Sequence, residues 1–377
     1  MPTSGIEDAI DQIRRGRMVI LVDDEDRENE GDLVIAADKA TPESIHFMAS
    51  FARGLICLTL APELLDKLAL VPMVRNNKAP LGTAFTNSID AAGLKRPGIS
   101  AQDRAYTIQT AIADGVKPQD LVSPGYVFPL GARRGGVLVR SGQTEGSVDL
   151  ARLAGLKPAG VICEVMGPDG EMSRLPDLLE FGAKHQIPVV SVADLIEYRM
   201  QKESFVHCVA QANLPTEYGK FEILAYQSDL DDSTHIVLRL GKIGPHKPSL
   251  LRVHRADLLS DVFGVQLTRS RHKLDLAMRR IAQEGEGILL YLRGDTRDNS
   301  VVEHLSKYCG TAPLGAAPKS VRGSDMGFRD FGIGAQILSH LGVRSLRVLT
   351  DHPIPFKGLS GFGLDIAEWV PLKEETE

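Results

Sequence analysis

The sequence predicts an α+β (mixed α/β) fold in two domains. Its 377 residues exceed what one ordinary hydrophobic core encloses, so two domains are expected. Short apolar runs of strand length alternate with amphipathic segments of helical period along the chain. A polar stretch at 198–205 separates two such series, so we place the boundary near residue 203, between domains 1–203 and 204–377.

The first series begins with a helix at 5–15, because Ile6, Ile10 and Ile13 repeat on one helical face and Gly16 supplies a stop. Apolar runs of the length of a buried strand follow it at 18–22, 33–37, 54–61, 136–140, 159–166 and 188–193. Further helices are predicted at 42–52, 102–113, 145–155, 176–186 and 193–200. The second series predicts strands at 235–242, 249–255, 287–293 and 345–350, and helices at 271–284 and 330–341.

Composition narrows the class of protein. A hydrophobic content of 43% and a charged content of 24% are typical of a globular protein. The net charge of -6 argues against a nucleic-acid partner, since phosphate binding needs a surplus of Lys and Arg. The four cysteines are far apart, so neither a disulfide framework nor a thiolate zinc site is indicated. The chain shows neither a signal peptide nor a membrane span, so we expect a cytoplasmic protein that does not enter a membrane.

An acidic segment lies between the first two predicted strands. Seven of the ten residues in DDEDRENEGD, 23–32, are acids. A run this dense is usually a solvated surface, but a short loop held between two strands crowds like charges, and a hard cation such as Mg²⁺ relieves that crowding. Arg27 is the one fixed positive group in the run, and it either binds a phosphate or neutralises neighbouring carboxylates. Both interpretations of the segment remain open.

A second group of polar residues follows Arg140, which we expect to end a strand. The sequence SGQTEGSVDLARLAG then predicts a turn and a helix with Thr144 near its start. Such a helix start attracts phosphate, although Gly and Thr also occur in many turns for geometry alone. Glu164 lies in the apolar run AGVICEVM, so either it reaches solvent at the strand end or it is held for acid–base chemistry.

Read together, these segments resemble 3,4-dihydroxy-2-butanone 4-phosphate synthases. The resemblance runs through DDEDRENEGDL, RGLIC, GTAFTNSIDA, GISAQDRAYTI and DLARLAGLKPAGVICEVM, and covers about residues 5–200. It implies a homodimer that converts D-ribulose 5-phosphate to formate and a four-carbon phosphosugar for riboflavin biosynthesis. It also implies Mg²⁺ or Mn²⁺ as the cofactor, because the reaction builds negative charge on adjacent oxygens that a divalent ion stabilises.

The resemblance assigns roles to residues of this chain. Glu28 and Gln143 would bind the metal, and Glu164, Asp32 and Tyr126 occupy the catalytic positions. The substrate-binding set would consist of Arg27, Glu28, Asp32, Arg140, Ser141, Gly142, Gln143, Thr144 and Glu164. Cys57 is expected to be first a packing thiol and only second a substrate contact.

The sequence departs from the family pattern in three places. Gln143 stands where the family has a metal-binding His, and Tyr126 where it has an essential His. Arg96 and Pro97 replace a pair of threonines. An amide oxygen of Gln143 is acceptable to a hard ion but cannot shuttle protons, and a tyrosine is a poor base near neutral pH.

The second half resembles GTP cyclohydrolase II over about residues 205–372, through LRVHRADLLSDVFG, GILLYLR and DFGIGAQILSHLGV. That family holds Zn²⁺ with three cysteines, and the matching positions here are Asp257, Thr268 and Ser270. Its usual RQEGRGIG run is replaced at 293–300. We therefore expect no zinc and no cyclohydrolase activity.

Three functions compete on this basis. The first is an active synthase with a non-catalytic C-terminal domain, indicated by the intact acidic loop, Arg140 and Glu164. The second is a catalytically impaired regulatory or binding paralogue of the riboflavin pathway, indicated by the two missing histidines. The third, a fully bifunctional enzyme, is disfavoured by the lost zinc ligands.

Overall fold

The structure is a computed structural model that describes residues 4–25, 27–95, 98–230, 233–266, 269–293, 325–353 and 359–372, with backbone alone for 325–331 and 360. The chain divides into two compact units, Met1–Arg199 and Met200–Glu377. The boundary near residue 203 stays a prediction of the sequence. None of the helices in these ranges combines the length and apolar character needed to cross a bilayer.

Up to Lys202 the described ranges hold seven α-helices and seven strands, and the last of these helices crosses the boundary between the two units. The helices are α1 (Ile6–Arg14), α2 (Pro42–Phe47), α3 (Pro62–Leu68), α4 (Ala101–Ala111), α5 (Gln143–Leu153), α6 (Leu175–His185) and α7 (Val192–Lys202). The strands are β1 (Val19–Val22), β2 (Gly31–Ala36), β3 (Cys57–Leu60), β4 (Ile89–Ala91), β5 (Leu121–Gly131), β6 (Ala159–Glu164) and β7 (Val189–Ser191). A π-helical turn, Met48–Ala52, continues α2.

The strands of this unit form one mixed sheet in the order β4-β5-β3-β6-β2-β1-β7. Every residue of β1 and β2 is buried, which explains why both read as continuous apolar runs rather than as alternating patterns. The hairpin of β1 and β2 is antiparallel, and β2 pairs in turn with β6. The strands that flank the acidic segment therefore lie inside the sheet rather than at its edge.

Helix α5 packs closely on this sheet because its first turns carry small residues. A Cβ on Gly146 would lie 2.4 Å from Leu21 Cδ2, and the hydroxyls of Ser147 and Thr59 are 2.7 Å apart. All residues from Gln143 to Ala151 are buried. This contact fixes the start of α5 beside the end of the β1–β2 hairpin.

One predicted strand is wrong. Residues 136–140 form a short 3₁₀ turn at Gly136–Leu138 followed by irregular chain, so Arg140 does not end a strand. Two successive glycines with positive φ, 92° at Gly135 and 64° at Gly136, turn the backbone. The Asp149 carboxylate then accepts a hydrogen bond from Val137 N at 2.9 Å and holds the turn against α5. The apolar run is buried by this turn and not by a sheet.

The second unit also contains a seven-stranded sheet, in the order β14-β13-β11-β12-β10-β9-β8. Its strands are β8 (Val206–Thr216), β9 (Gly219–Ser228), β10 (Thr234–Leu240), β11 (Ser249–Arg255), β12 (Gly287–Leu292), β13 (Ser345–Leu349) and β14 (Asp365–Val370). Its described helices are α8 (Leu258–Asp261), α9 (Ser270–Glu284) and α10 (Asp325–His340). The mixed α/β, two-domain fold class is confirmed, as are the other predicted elements, whereas α3, α8, β4, β5, β8, β9 and β14 were not predicted.

Candidate active site

The acidic loop is organised around Asp23. Val22 and Gly31 are the last paired residues of the β1–β2 hairpin, so the loop between them is short. The Asp23 side chain is fully buried, and its carboxylate accepts hydrogen bonds from Glu30 N at 2.9 Å and Glu28 N at 3.2 Å. One acid of the run therefore folds the loop by accepting its backbone donors. Among the described residues of the segment, Asp24 and Glu25 are exposed, whereas Asp23 and Asp32 are buried.

Arg27 lies at the centre of this loop. Its Nη1 donates to Asp23 Oδ2 at 2.5 Å and to Gln143 Oε1 at 2.8 Å, and it pairs with Glu28 Oε1 at 2.7 Å. The Arg27 side chain is only 9% exposed. The two predicted metal ligands, Glu28 and Gln143, are thus brought together, and one guanidinium nitrogen contacts an oxygen of each.

Arg174 holds the loop from the other side. Its Nη1 donates to the backbone carbonyls of Glu28 at 2.8 Å and Asn29 at 2.6 Å. The pKa of the Glu30 carboxyl is raised, first by burial and then by Glu28, while Arg174 partly opposes the rise. The crowding of carboxylates expected from the sequence is therefore real, and Arg174 was not predicted to relieve it.

Asp32 and Glu164 face each other across β2 and β6. They are register partners, and Asp32 is 4% exposed. Burial, followed by the charge of Glu164, raises the pKa of Asp32 well above its usual range. Burial also raises the pKa of Glu164, whose Oε2 accepts a hydrogen bond from Leu55 N at 2.8 Å. Burial and the neighbouring charge therefore both favour the protonated form of Asp32.

A glycine makes room for the Glu164 carboxyl. A Cβ on Gly54 would lie 2.6 Å from Glu164 Oε2 and 2.4 Å from the Glu164 carbonyl oxygen. Because the backbone approaches this closely, Leu55 N can reach the carboxylate. Glu164 is therefore the last, half-buried residue of β6, and a backbone hydrogen bond holds its carboxylate there.

Arg140 occupies the turn before α5. Its Nη1 pairs with Glu145 Oε2 at 2.6 Å, and its Nη2 donates to Leu81 O at 3.3 Å and Thr83 Oγ1 at 3.4 Å. Glu145 is 1% exposed, and burial raises the pKa of its carboxyl whereas Arg140 lowers it. The three contacts set the direction of the Arg140 guanidinium.

Gly142, the N-cap of α5, lies between two guanidinium groups. A Cβ there would lie 2.5 Å from Arg140 Nη1 and 2.9 Å from Arg27 Nη2. Ser141 precedes Gly142 and is half-buried, and Thr144 is buried in the first turn of α5. The structure therefore brings two arginines and a helix start to one point, an arrangement suited to a phosphate group.

Tyr126 lies at the same level of the sheet as Glu164. Cys57 of β3 pairs with Phe128 of β5 and with Ile162 of β6. Tyr126 lies two residues before Phe128, and Glu164 lies two residues after Ile162. β3 runs parallel to β5 and antiparallel to β6, so both of these residues are level with the chain just before β3. Tyr126 and Glu164 therefore lie at the same end of the strands, on either side of β3.

Tyr126 and Cys57 differ in their exposure to solvent. Tyr126 is 47% exposed, and its backbone N donates to Asp90 Oδ1 at 3.0 Å. Cys57 is 2% exposed, and burial, followed by the charge of Glu164, raises the pKa of its thiol. The location of Cys57 agrees with a packing thiol, whereas the tyrosine ring is open to a ligand or a partner.

The donors suited to a metal are oxygens. Within the described ranges, no cluster of three or more His, Cys, Asp or Glu side chains has the geometry of a metal centre. The candidate donors are Glu28 Oε1 and the amide oxygen of Gln143, which both contact Arg27 Nη1. One carboxylate and one amide oxygen fit a hard ion such as Mg²⁺, which takes few protein ligands and fills its remaining positions with water and substrate.

Several residues of the site were not identified from the sequence. Glu145, Thr83 and Arg174 orient the groups described above, yet none was singled out. Glu145 offered a signal, because it is an acid in the first turn of a helix five positions after Arg140. Arg96 and Pro97, the third departure from the family, lie outside the described residues.

In the second unit, polar side chains surround His254. Its Nε2 is 3.0 Å from Ser270 Oγ and 3.3 Å from both Asp261 carboxylate oxygens. Its ring stacks on Tyr291, whose hydroxyl donates to Asp261 Oδ2 at 2.8 Å. Burial lowers the pKa of His254, although Asp261 opposes this, and the lowered pKa favours the neutral imidazole.

Two of the three predicted zinc-ligand positions belong to this group. Ser270 bonds to His254, and Asp257 Oδ1 caps α8 by accepting from Ser260 N at 3.1 Å. Thr268, together with residues 294–300 of the replaced run, lies outside the described residues. A hydroxyl and a capping carboxylate do not supply the thiolates of a tight zinc site, so these residues do not fit the metal.

Comparison with known proteins identifies a family for each half of the chain. The family model for 3,4-dihydroxy-2-butanone 4-phosphate synthase matches residues 7–198, and that for GTP cyclohydrolase II matches 207–371. A riboflavin biosynthesis protein RibBA of Aquifex aeolicus is 49% identical over 98% of this chain and 92% of its own length. A Pseudomonas aeruginosa protein named 3,4-dihydroxy-2-butanone 4-phosphate synthase is 42% identical over 99% of this chain and all of its own.

Solved structures give the same result. RibBX, a two-domain 3,4-dihydroxy-2-butanone 4-phosphate synthase from A. baumannii, superposes with a TM-score of 0.79 at 40% identity, over 97% of this chain and 99% of its own. A synthase solved in complex with two magnesium ions has a TM-score of 0.51 at 38% identity, and covers 53% of this chain and 98% of its own. The chain therefore belongs to the 3,4-dihydroxy-2-butanone 4-phosphate synthase family of riboflavin biosynthesis and carries a C-terminal part of the GTP cyclohydrolase II family.

Proposed function

We propose that this chain is a carbon–carbon lyase that converts D-ribulose 5-phosphate to L-3,4-dihydroxybutan-2-one 4-phosphate and formate. The observation that carries the proposal is the Asp32–Glu164 pair, two carboxyls on adjacent strands, in a unit where two arginines also meet at Gly142. The phosphate would lie at Gly142 between Arg27 and Arg140, and the sugar carbons would extend toward the paired carboxyls.

The different environments of Asp32 and Glu164 assign one carboxyl as the general acid and the other as the general base. Asp32 is the more buried and has the more strongly raised pKa, so it keeps the proton and donates it to a departing hydroxyl. Glu164 accepts a hydrogen bond from Leu55 N, which stabilises its anion, so it removes a proton from carbon. The tyrosine at 126 replaces a base with a hydrogen-bond donor, which orients a substrate oxygen.

Glu28 and Gln143 would hold the divalent ion, Mg²⁺ or Mn²⁺, which when bound supplies Lewis-acid stabilisation of negative charge on adjacent substrate oxygens. Asp23 and Arg174 keep the loop that carries Glu28 in position. We also propose that the synthase acts as a homodimer, because Tyr126 at the edge of the site is open to a partner. A cytoplasmic location remains the expectation.

The direct test is formate release from D-ribulose 5-phosphate by the purified full chain with Mg²⁺. We expect formate from the wild type and none after chelation with EDTA. The variant Gln143→His should increase turnover, since it restores a nitrogen that can both bind metal and exchange protons. Absence of formate from both proteins would refute the proposal.

The alternative, a catalytically impaired regulatory or binding paralogue, is favoured by one observation. The Gln143 oxygen that should bind metal already accepts a hydrogen bond from Arg27. On this alternative, Gln143→His releases formate and the wild type does not. Complementation of a strain that lacks the synthase separates the two, because only an active enzyme restores growth without riboflavin.

The raised pKa of Asp32 predicts a pH effect on stability. Because the folded pKa lies above the usual 3.8, the folded state binds more protons, and stability falls as pH rises from below 3.8 through the folded pKa. Asp32→Asn cannot ionise, so its melting temperature relative to wild type should rise as pH increases from 4 to 7.5 in EDTA.

In a matched substitution, the stability relative to wild type should change with pH in the opposite direction. The pKa of Asp114 is lowered, first by a hydrogen bond from Lys157 and then by its charge. Asp114→Asn should therefore lose stability relative to wild type as pH rises through the lowered pKa to about 4, by a small amount because Asp114 is exposed, and should run parallel to wild type from pH 4 to 7.5. Parallel melting curves for Asp32→Asn and wild type across this pH range would contradict the assignment.

For the C-terminal part we propose neither zinc nor cyclohydrolase activity. The support is the His254 group, in which Ser270 and Asp257 serve as hydrogen-bonding and capping residues. We expect purified full-length protein to contain much less than one zinc per chain by plasma mass spectrometry, and to release no formate from GTP with added Zn²⁺. Stoichiometric zinc that survives dialysis would contradict this prediction.

A further inference from the structure

The contacts of Arg27 point to a competition within the metal site. Nη1 carries two hydrogens, which are directed to Asp23 Oδ2 and Gln143 Oε1, and the same nitrogen pairs with Glu28 Oε1. The oxygens of Glu28 and Gln143 are the two donors assigned to the divalent ion. A guanidinium and a divalent ion cannot share them at these distances, since like charges would lie within a few ångströms in a largely buried site.

The other side of the same guanidinium faces the phosphate position. Arg27 Nη2 would lie 2.9 Å from a Cβ on Gly142, close to Arg140 Nη1 and the first N–H groups of α5. A phosphate here offers Arg27 oxygens suited to paired hydrogen bonds. Arg27 therefore has two alternative sets of anionic partners, the metal donors on one side and a phosphate on the other.

We propose that Arg27 acts as a tethered cation that holds Glu28 and Gln143 until a phosphate draws it away, so that phosphate binding and divalent-metal binding are positively coupled in this chain. This inference rests on the proposed function, because it takes its ligands from that function. By linkage, the metal must tighten phosphate binding by the same factor as phosphate tightens metal binding. Because of this coupling, the ion is bound firmly only when a phosphosugar is present.

The test is a Mn²⁺ titration of the full-length protein followed by electron paramagnetic resonance of free Mn²⁺, with and without saturating inorganic phosphate. A protein-free titration corrects for Mn²⁺ bound directly by phosphate. In the wild type we expect phosphate to tighten Mn²⁺ binding about tenfold, within the usual range of such couplings. In Arg27→Gln, which loses the charge but keeps a donor for Asp23, Mn²⁺ should bind about tenfold more tightly without phosphate and gain little from it.

Arg174→Met is the matched control. It removes one positive charge beside the same loop, but Arg174 bonds backbone carbonyls of Glu28 and Asn29 and not the metal donors. Any gain in Mn²⁺ affinity that comes only from the loss of a positive charge should appear in this variant too. Phosphate should still tighten its Mn²⁺ binding. Arg27→Met, compared by circular dichroism, replaces Arg27→Gln if the latter does not fold.

The outcomes separate the inference from the function on which it rests. Equal phosphate coupling in wild type, Arg27→Gln and Arg174→Met, with Mn²⁺ bound and formate produced, overturns the inference alone. Failure of every protein to bind Mn²⁺, with or without phosphate, overturns both the metal assignment and the inference. A loss of coupling confined to Arg27 variants supports it.

Discussion

Glu164→Gln is expected to lower kcat for formate release about a thousandfold, because removal of a positioned general base typically costs two to four orders of magnitude. The amide keeps the size of the side chain and can still accept the hydrogen bond from Leu55 N, so KM should change little. Initial rates of formate release at saturating Mg²⁺ give both constants.

The control for this prediction is Glu171→Gln, the same chemical change at an exposed residue of the turn after β6. It should retain wild-type kcat. Comparable loss in both variants, or a kcat for Glu164→Gln within tenfold of wild type, would remove Glu164 from the proposed acid–base pair and leave Asp32 without its partner.

Arg140→Met is expected to act on both binding and stability. Loss of a charge-assisted contact to phosphate should raise KM by roughly a hundredfold. Glu145, 1% exposed, would keep its buried carboxyl without the arginine, and breaking a buried pair in this way costs about 3 kcal/mol of the free energy of unfolding. Urea unfolding and steady-state kinetics measure the two effects separately.

The double variant Arg140→Met/Glu145→Gln distinguishes the two roles. Neutralising the carboxyl should restore most of the lost stability, but it cannot restore the phosphate contact, so KM should remain high. Arg134→Met is the control, because Arg134 pairs with Glu63 at 3.0 Å on an exposed surface and should change neither quantity. Recovery of KM in the double variant would show that Arg140 acts only through stability.

The elements that the sequence predicted share a strong local signal. Strands β1, β2 and β6 are almost wholly buried and short, so an uninterrupted apolar run identified them. Strand β5 was missed because Pro124, Gly125 and Pro129 lie within it, and these residues usually indicate a turn. Strand β8 was missed because most of its side chains are exposed and show no periodic pattern.

The wrong strand at 136–140 and the incomplete site have a common cause, which is contact between distant parts of the chain. The 3₁₀ turn depends on a carboxylate of α5, and no local pattern reports that contact. Asp32 and Glu164 could be chosen one at a time from their surroundings, but their pairing follows from the order of strands in the sheet. The bond between Arg27 and Gln143 likewise required the packing of α5 beside the hairpin.

The position of β2 and β6 inside the sheet has a consequence for motion. Both strands are hydrogen-bonded on either side, by β1 and β3 as well as by each other. Amide groups in such central strands exchange with solvent mainly through global unfolding, whereas a loop can open on its own. We therefore expect the Asp32 and Glu164 carboxyls, which lie on these two strands, to keep their spacing while the neighbouring loop opens on its own.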